Sequence, residues 1–255
     1  MVAGPKSAQE LAAATEIHAD SLARLLRMLA AHGVFAEDDR GGFELTPLAH
    51  PLQSGVPGSI RDAVRWIDDM SWNAAGHLLY SIATGNPAFD HVAGTDFFSY
   101  HDQHPDVNDR FARGMANAAE LENAAIAGAY DFSRFKCIVD VGGGRGGFLA
   151  AVLTAYPQVR GLLYDRPAVV NNLTSLHAAG VSTRCPTQGG NFFGSIPAGG
   201  DAYVFKRVLH DWDDARCVSL LRLCRDVMPP GGRVLVIDAV ESAGNPVPMI
   251  HDLDI

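Results

Sequence analysis

The stretch CIVDVGGGRGGF, residues 137–148, decides the fold. An apolar run ends in an acid and then breaks into glycine. This is the pattern of a first strand, a tight turn and a helix start. Glycine lets the backbone approach a ligand without a Cβ clash, and the turn aims a helix N-terminus at that ligand. Beyond it, apolar segments alternate in kind: FLAAVLTAY, RGLLYD, AVVNNLTSLHAA, VSTRC, DAYVFKRVLH, CVSLLRLCRDVM and RVLVIDAV. Alternating strand and helix predicts a parallel, Rossmann-like α/β sheet with helices on both faces.

The chain before this stretch reads differently. SAQELAAA (residues 7–14) opens with Ser7 and Glu10 in capping-box spacing. HADSLARLLRMLAAHG then places Leu22, Leu25, Leu26 and Leu29 on one helical face, with Gly33 as terminator. VFAEDDRGGFELT predicts two short strands around a Gly-Gly turn. Helix, turn, helix and hairpin is the order of a winged helix. Residues 58–84 read as helical up to the Gly85-Asn86-Pro87 break, and a long helix is predicted from Pro105 to about Tyr130. The expected segments are 1–57, 58–130 and 131–255.

The glycines alone admit two ligands. Gly142-x-Gly144-x-x-Gly147 fits the dinucleotide fingerprint. The same residues fit Asp140-x-Gly142-x-Gly144-x-Gly146, the loop pattern of S-adenosylmethionine (SAM) methyltransferases. Asp165 ends the second strand, where an acid can bind ribose hydroxyls of either cofactor. Asp140 separates the two: a carboxylate beside a pyrophosphate is repelled, whereas a sulfonium or ammonium is attracted.

A second constellation lies in DAYVFKRVLHDWDD, residues 201–214. Ligands of such sheets bind at the carboxyl ends of strands, so Lys206, Arg207 and His210 are expected at the cleft. A histidine near neutral pKa can accept a phenolic proton. Asp238, ending RVLVID, is expected on the same edge, where it can orient the imidazole.

These residues together resemble the SAM-dependent O-methyltransferases of the plant phenolic, hydroxyindole and bacterial natural-product type. DVGGGRGGF, LLYDRPAVV, GGNFF, VFKRVLHDWDD and PPGGRVLVIDAV stand in that family's order. The resemblance implies that Gly142, Gly144 and their neighbours hold the methionine part of SAM. It implies that Asp165, with Arg166 beside it, lies at the ribose. Asn191 and Phe192 would flank the adenine, with Asn191 where the family usually has Asp. Lys206 and Arg207 would stand on the cofactor side. His210 matches the catalytic base and Asp238 a supporting acid that is often Glu. Phe111, Met115 and Asp211 fall on the acceptor side. The product would be S-adenosylhomocysteine (SAH), the acceptor an aromatic hydroxyl, and no metal is expected. The resemblance also implies a homodimer, weakened if a preceding helical segment is missing. Relatives continue beyond HDLDI, so RVLVIDAV is expected as an exposed sheet edge and donor binding as weaker than in a longer relative.

Composition narrows the rivals. The chain has 255 residues, 47% hydrophobic and 19% charged, so it can bury a substantial core. A net charge of −9 argues against a nucleic-acid surface. Residues 1–60 hold four basic residues against seven acidic ones, with Glu37, Asp38 and Asp39 together in the would-be wing. A winged-helix transcription regulator shows the opposite balance. Two rival activities stay open on the residues alone. One is NAD-dependent oxidoreduction; the other is hydroxylation or decarboxylation of an aromatic polyketide by a SAM-binding relative. Cys137, Cys185, Cys217 and Cys224 form no Cys-x-x-Cys pair and read as reduced thiols. No leader and no membrane span is recognisable, so a soluble, cytoplasmic protein is expected.

Overall fold

Three short strands and a helix pair organise the first residues. The computed structural model describes residues 1–67, 69–171 and 173–240. Contacts divide the chain into two units, Met1–Arg61 and Asp62–Ile255.

In the first unit, β1 (Lys6–Ser7) leads into α1 (Ala8–Thr15), α2 (Ala19–Ala31), β2 (Phe35–Glu37) and β3 (Gly42–Leu45). The strands form an antiparallel sheet in the order β1-β3-β2. The capping box is formed: the Ser7 hydroxyl accepts from the Glu10 amide at 3.2 Å, and Glu10 accepts from the Ser7 amide at 2.8 Å. Ala8, Leu26 and Phe43 make the small core, with Leu22 packed on it. Leu25, expected on that face, is half exposed. At the hairpin, Asp38 accepts from the amides of Arg40 and Gly42, each at 2.8 Å, which closes the turn through a side chain.

The second unit starts with short helices: α3 (Arg61–Trp66, from the last residue of the first unit), α4 (Asp69–Gly76), α5 (Leu78–Thr84), α6 (Ala88–Ala93) and α7 (Phe97–Gln103). The helical stretch expected over 58–84 is thus three pieces. Gly76 ends α4, and Gly85 ends α5 in a left-handed cap at φ 72°. The long helix α8 runs Pro105–Ala129, with proline in its first turn.

There follow β4 (Cys137–Val141), α9 (Gly147–Ala155), β5 (Arg160–Asp165), α10 (Thr174–Ala178), β6 (Thr187–Gly189), β7 (Ala202–Lys206), α11 (Asp214–Val227) and β8 (Arg233–Ile237). The five strands are parallel, in the order β6-β5-β4-β7-β8. The chain winds outward from β4 and then returns to β7 on its other side. The switch point therefore lies between β4 and β7, where ligands of such sheets bind.

Side chains alternate across this sheet as period-two geometry requires. Ile138, Leu163, Ala202 and Val204 pack towards α9 and α10. Val139, Val141, Tyr164, Tyr203 and Phe205 pack towards Leu220 and Cys224 of α11.

Two expectations fail here. VSTRC is not a strand but a tight turn at Ser182–Arg184. Arg184 instead donates to the carbonyls of Leu153 and Val159, each at 2.7 Å, and Pro186 has no N–H to give. Pairing with β5 begins at Pro186 O, so the strand lies a few residues later. AVVNNLTSLHAA yields only the five residues of α10, with Asn172 outside the described residues. Among the described residues β8 is an edge of the sheet, with Val236 exposed, and no helix is long and apolar enough to cross a membrane. The segment HDLDI lies outside the described residues.

Candidate active site

The turn after β4 is held by its backbone. Gly142, Gly144 and Gly146 have φ of 73°, 58° and 78°, the left-handed region that glycine enters without strain. The Gly142 amide donates to Tyr164 O at 2.8 Å, and the Gly144 amide to Asp165 Oδ2 at 2.8 Å. Asp165 Oδ1 accepts from the Arg166 amide at 2.6 Å. The acid at the tip of β5 is thereby locked to the glycine loop. Burial raises its pKa, opposed by the Gly144 and Arg166 amides.

Asp140 is only 1% exposed, and among the described residues neither of its carboxylate oxygens has a hydrogen-bond partner. Burial pushes its pKa up to about 7, with the Lys206 charge acting against the rise and Asp165 with it. The loop closes over it tightly. A Cβ at Gly143 would stand 2.4 Å from Asp140 Oδ2 and 2.5 Å from Leu163 Cδ1. A Cβ at Gly144 would meet nothing within 4 Å, so the outer face of the loop is open. Asn123, buried on α8 with an unpartnered Oδ1, packs against Gly147 at the start of α9.

Beyond β7 the chain turns sharply. Arg207 has φ 53°, a conformation that costs a non-glycine residue about 1–2 kcal/mol. Its amide donates to Ile237 O at 2.9 Å. Glu122 of α8 accepts from Lys206 Nζ at 3.1 Å and from Arg207 Nε and Nη2 at 3.3 and 3.2 Å. Burial works against Glu122 ionising, but Arg207 and Lys206 outweigh it and hold the carboxyl below its ordinary pKa.

A short turn, Leu209–Asp211, then presents His210. Its Nδ1 lies 2.6 Å from Asp238 Oδ1, directly after β8, and its Nε2 lies 3.3 Å from Asp211 Oδ1. Asp211 first, and then Asp238, raise the imidazole pKa to about 9 against the opposing effect of burial. The Cys217 thiol braces the turn by donating to Leu209 O and Trp212 O at 3.3 and 3.4 Å.

The remaining expected residues are spread along two aromatic walls. Phe111 packs with Trp66, Phe97 and His101, at centroid distances of 5.0, 5.5 and 5.1 Å. Met115, one turn on, is largely exposed. Phe192 lies edge-on to Trp212 at 6.0 Å, and a Cβ at Gly142 would stand 3.7 Å from its ring. Asn191 is exposed and caps its own turn, accepting from the Phe193 amide at 3.0 Å.

Sequence reasoning missed the acids of α7 and α8. Asp102 pairs with Arg166, Asp109 with Arg145 of the glycine loop, and Glu122 with Lys206 and Arg207. Each ties a helix before the sheet to a loop at a strand tip. His101 was missed too. It is 1% exposed, it accepts from the Trp66 indole at Nε2 (3.1 Å), and its Nδ1 bonds Phe97 O at 2.7 Å.

A glycine loop over an unpartnered carboxylate, with a histidine between two acids beyond the switch point, can now be set against known proteins. The family model for the O-methyltransferase domain matches residues 76–253, and that for the O-methyltransferase dimerisation domain matches residues 2–54. This chain belongs to the O-methyltransferase family. The methyltransferase is 41% identical to a phenazine O-methyltransferase of Lysobacter antibioticus, across 94% of this chain and 71% of that protein. The crystal structure of LaPhzM superposes with a TM-score of 0.93 at 39% identity, covering 98% of this chain and 76% of that one. The O-methyltransferase of neocarzinostatin biosynthesis, crystallised with SAM and a hydroxy-methyl naphthoic acid, gives 0.84 at 37%, covering 99% and 78%. The family's methyl donor is SAM, and this methyltransferase has the features to take it. The buried Asp140 carboxylate without a partner suits a cationic ligand nearby, and the Gly144 face leaves room for a backbone-hugging ligand.

Proposed function

We propose that this O-methyltransferase moves a methyl group from SAM to the hydroxyl of an aromatic acceptor, with His210 as general base. The observation that carries the reading is the His210 imidazole, held by Asp238 at one nitrogen and facing Asp211 at the other. Asp140, Gly142, Gly144 and Asp165, with Arg166, would hold the methionine and ribose parts of the donor. Phe192 and Asn191 would border the adenine, and Lys206 and Arg207 would stand at the cofactor-side strand end. When bound, SAM supplies a methyl on a sulfonium, which needs only a nucleophilic oxygen in line.

The chain's own residues generate that oxygen. Asp238 keeps the proton on Nδ1, so Nε2 takes the proton of the acceptor hydroxyl. The imidazolium formed is stabilised by both carboxylates, as in a triad. Because the same acids raise the histidine pKa to about 9, the free-base form grows as pH rises towards that value. The aromatic nest of Trp66, Phe97 and Phe111 gives a planar acceptor an apolar wall to lie against. Relatives named for a phenazine and a dihydroxy naphthoate support an aromatic acceptor of this kind.

We read residues 1–57 as dimerisation segment, 58–130 as acceptor side and 131–255 as donor side. A second copy of the chain is the partner, a reading supported by the match of residues 2–54. The test is incubation with SAM and a panel of aromatic hydroxyl compounds, with mass analysis of products. One added methylene mass, together with a loss of about 10²–10⁴ in rate for His210→Gln at unchanged SAH affinity, is expected. A product heavier by one oxygen, or full activity of His210→Gln, refutes the proposal.

A further inference from the structure

Glu122 and Asp140 are both acted on by one lysine, Lys206. Asp140 pairs in register with Val204 on the neighbouring strand, so Lys206 is the next residue on the same face of the sheet. The Lys206 side chain is 9% exposed, and its charge acts on Asp140. Yet its ammonium is bonded to Glu122 at 3.1 Å, while both Asp140 oxygens have no partner. Arg207 holds Glu122 through two further bonds. The other ionised group acting on Asp140 is Asp165, whose oxygens are occupied by the Gly144 and Arg166 amides.

A buried carboxylate beside a buried ammonium ordinarily pairs with it, because isolated charges are costly in a low-dielectric interior. Here the ammonium is bonded to Glu122 instead. We infer that Glu122 is a positioning residue that withholds Lys206 from Asp140, so that the Asp140 carboxylate remains available to the cationic amino-acid end of the methyl donor. This rests on the reading of the glycine loop as the donor site. Without the Glu122 charge, Lys206 turns to Asp140, neutralises it, and takes the place meant for the donor's ammonium.

The experiment uses the full chain and two probes. SAH carries the ammonium; 5′-methylthioadenosine carries only the nucleoside thioether. Binding of each is measured by calorimetry for wild type, Glu122→Gln, Asp140→Asn and the double variant, with thermal melting as a check on folding. Glu122→Gln is expected to weaken SAH about tenfold, the scale of one charged hydrogen bond. Its effect on methylthioadenosine should stay within about twofold, and in the Asp140→Asn background its effect on SAH should disappear. Equal weakening of both probes, or an undiminished effect without Asp140, overturns the inference and makes Glu122 merely structural. Absence of SAH binding in the wild type overturns the donor site itself, and is thereby distinguished from a wild type that binds while Glu122→Gln does no harm.

Discussion

Replacing Asp211 by Asn should lower the titration midpoint of His210 by about one unit. The ordinary histidine value is 6.5 and the folded value is about 9, a rise of about 2.5. Two carboxylates share that rise, Asp211 leading and Asp238 following, and burial takes part of it back. The ring is 43% exposed, so solvent screens each pair. One screened carboxylate is then worth about 1.4 kcal/mol, or one unit. The sign is fixed by linkage. A raised folded pKa means the ring's contacts add stability that is full below 6.5 and is lost as pH rises through about 9. The assay is NMR of the ring carbons and nitrogens across that range, with His210→Gln identifying the resonance. The midpoint should fall from about 9 to about 8 in Asp211→Asn. A midpoint that stays put or climbs would show that Asp211 does not face the imidazole in solution. With His210 in the proposed role of general base, the same titration bears on catalysis, since only the free base can take an acceptor proton.

Other outcomes follow from the same geometry. SAH at a hundredfold excess over its dissociation constant should stabilise the protein by about 2.7 kcal/mol, read as a thermal shift that NADH does not produce. Asp140, with a folded pKa of about 7, contributes stability that is lost as pH rises from the ordinary carboxylate range through 7. Asp140→Asn should flatten that part of the urea-unfolding profile. Gly143→Ala should cost about 1–3 kcal/mol, because its methyl meets Asp140 and Leu163 in a packed site, and should abolish SAH binding. Ser7→Ala should cost about 1 kcal/mol in unfolding experiments on the first unit, by removing one half of the capping box at α1.

The donor side was legible because strand ends are local signals. An apolar run closing in Asp140, Asp165, Lys206 or just before Asp238 announces which residues emerge at one sheet edge, whatever the loop lengths between them. That is why His210 and Asp238, 28 residues apart, could be placed together from the sequence. The capping box was legible for the same reason, being contained within four residues. VSTRC misled because Arg184 spends its donors on two distant carbonyls and Pro186 delays the ladder, neither of which shows in a propensity pattern. Glu122 was hidden differently. Its partners lie 84 and 85 residues away, and an acid on a long helix reads as ordinary solvated surface until the sheet is in place. Phe111 was expected beside an acceptor, and its nest with Trp66 and Phe97 joins the predicted long helix to two short helices, α3 and α7, whose bounds the sequence did not announce.

Helix α8 is anchored at two points. Asp109 grips the glycine loop through Arg145, and Glu122 grips the end of β7 through Arg207. Between these points lie about 20 Å of helix, carrying Phe111 and Met115. The stretch behaves as a fixed ruler laid across the loops after β4 and β7. An exposed side chain such as Met115 can be exchanged while the rod stays where it is, whereas Gly114 cannot, because a Cβ there would stand 2.7 Å from the Ala63 backbone. A shift of the rod itself, to admit a bulkier acceptor, drags both loops along. Reprogramming this scaffold for new acceptors is therefore a matter of swapping teeth on the ruler. Transplanting the whole of α7–α8 from another member would replace Asp102, Asp109 and Glu122, and so alter the hold on the loops at the strand tips.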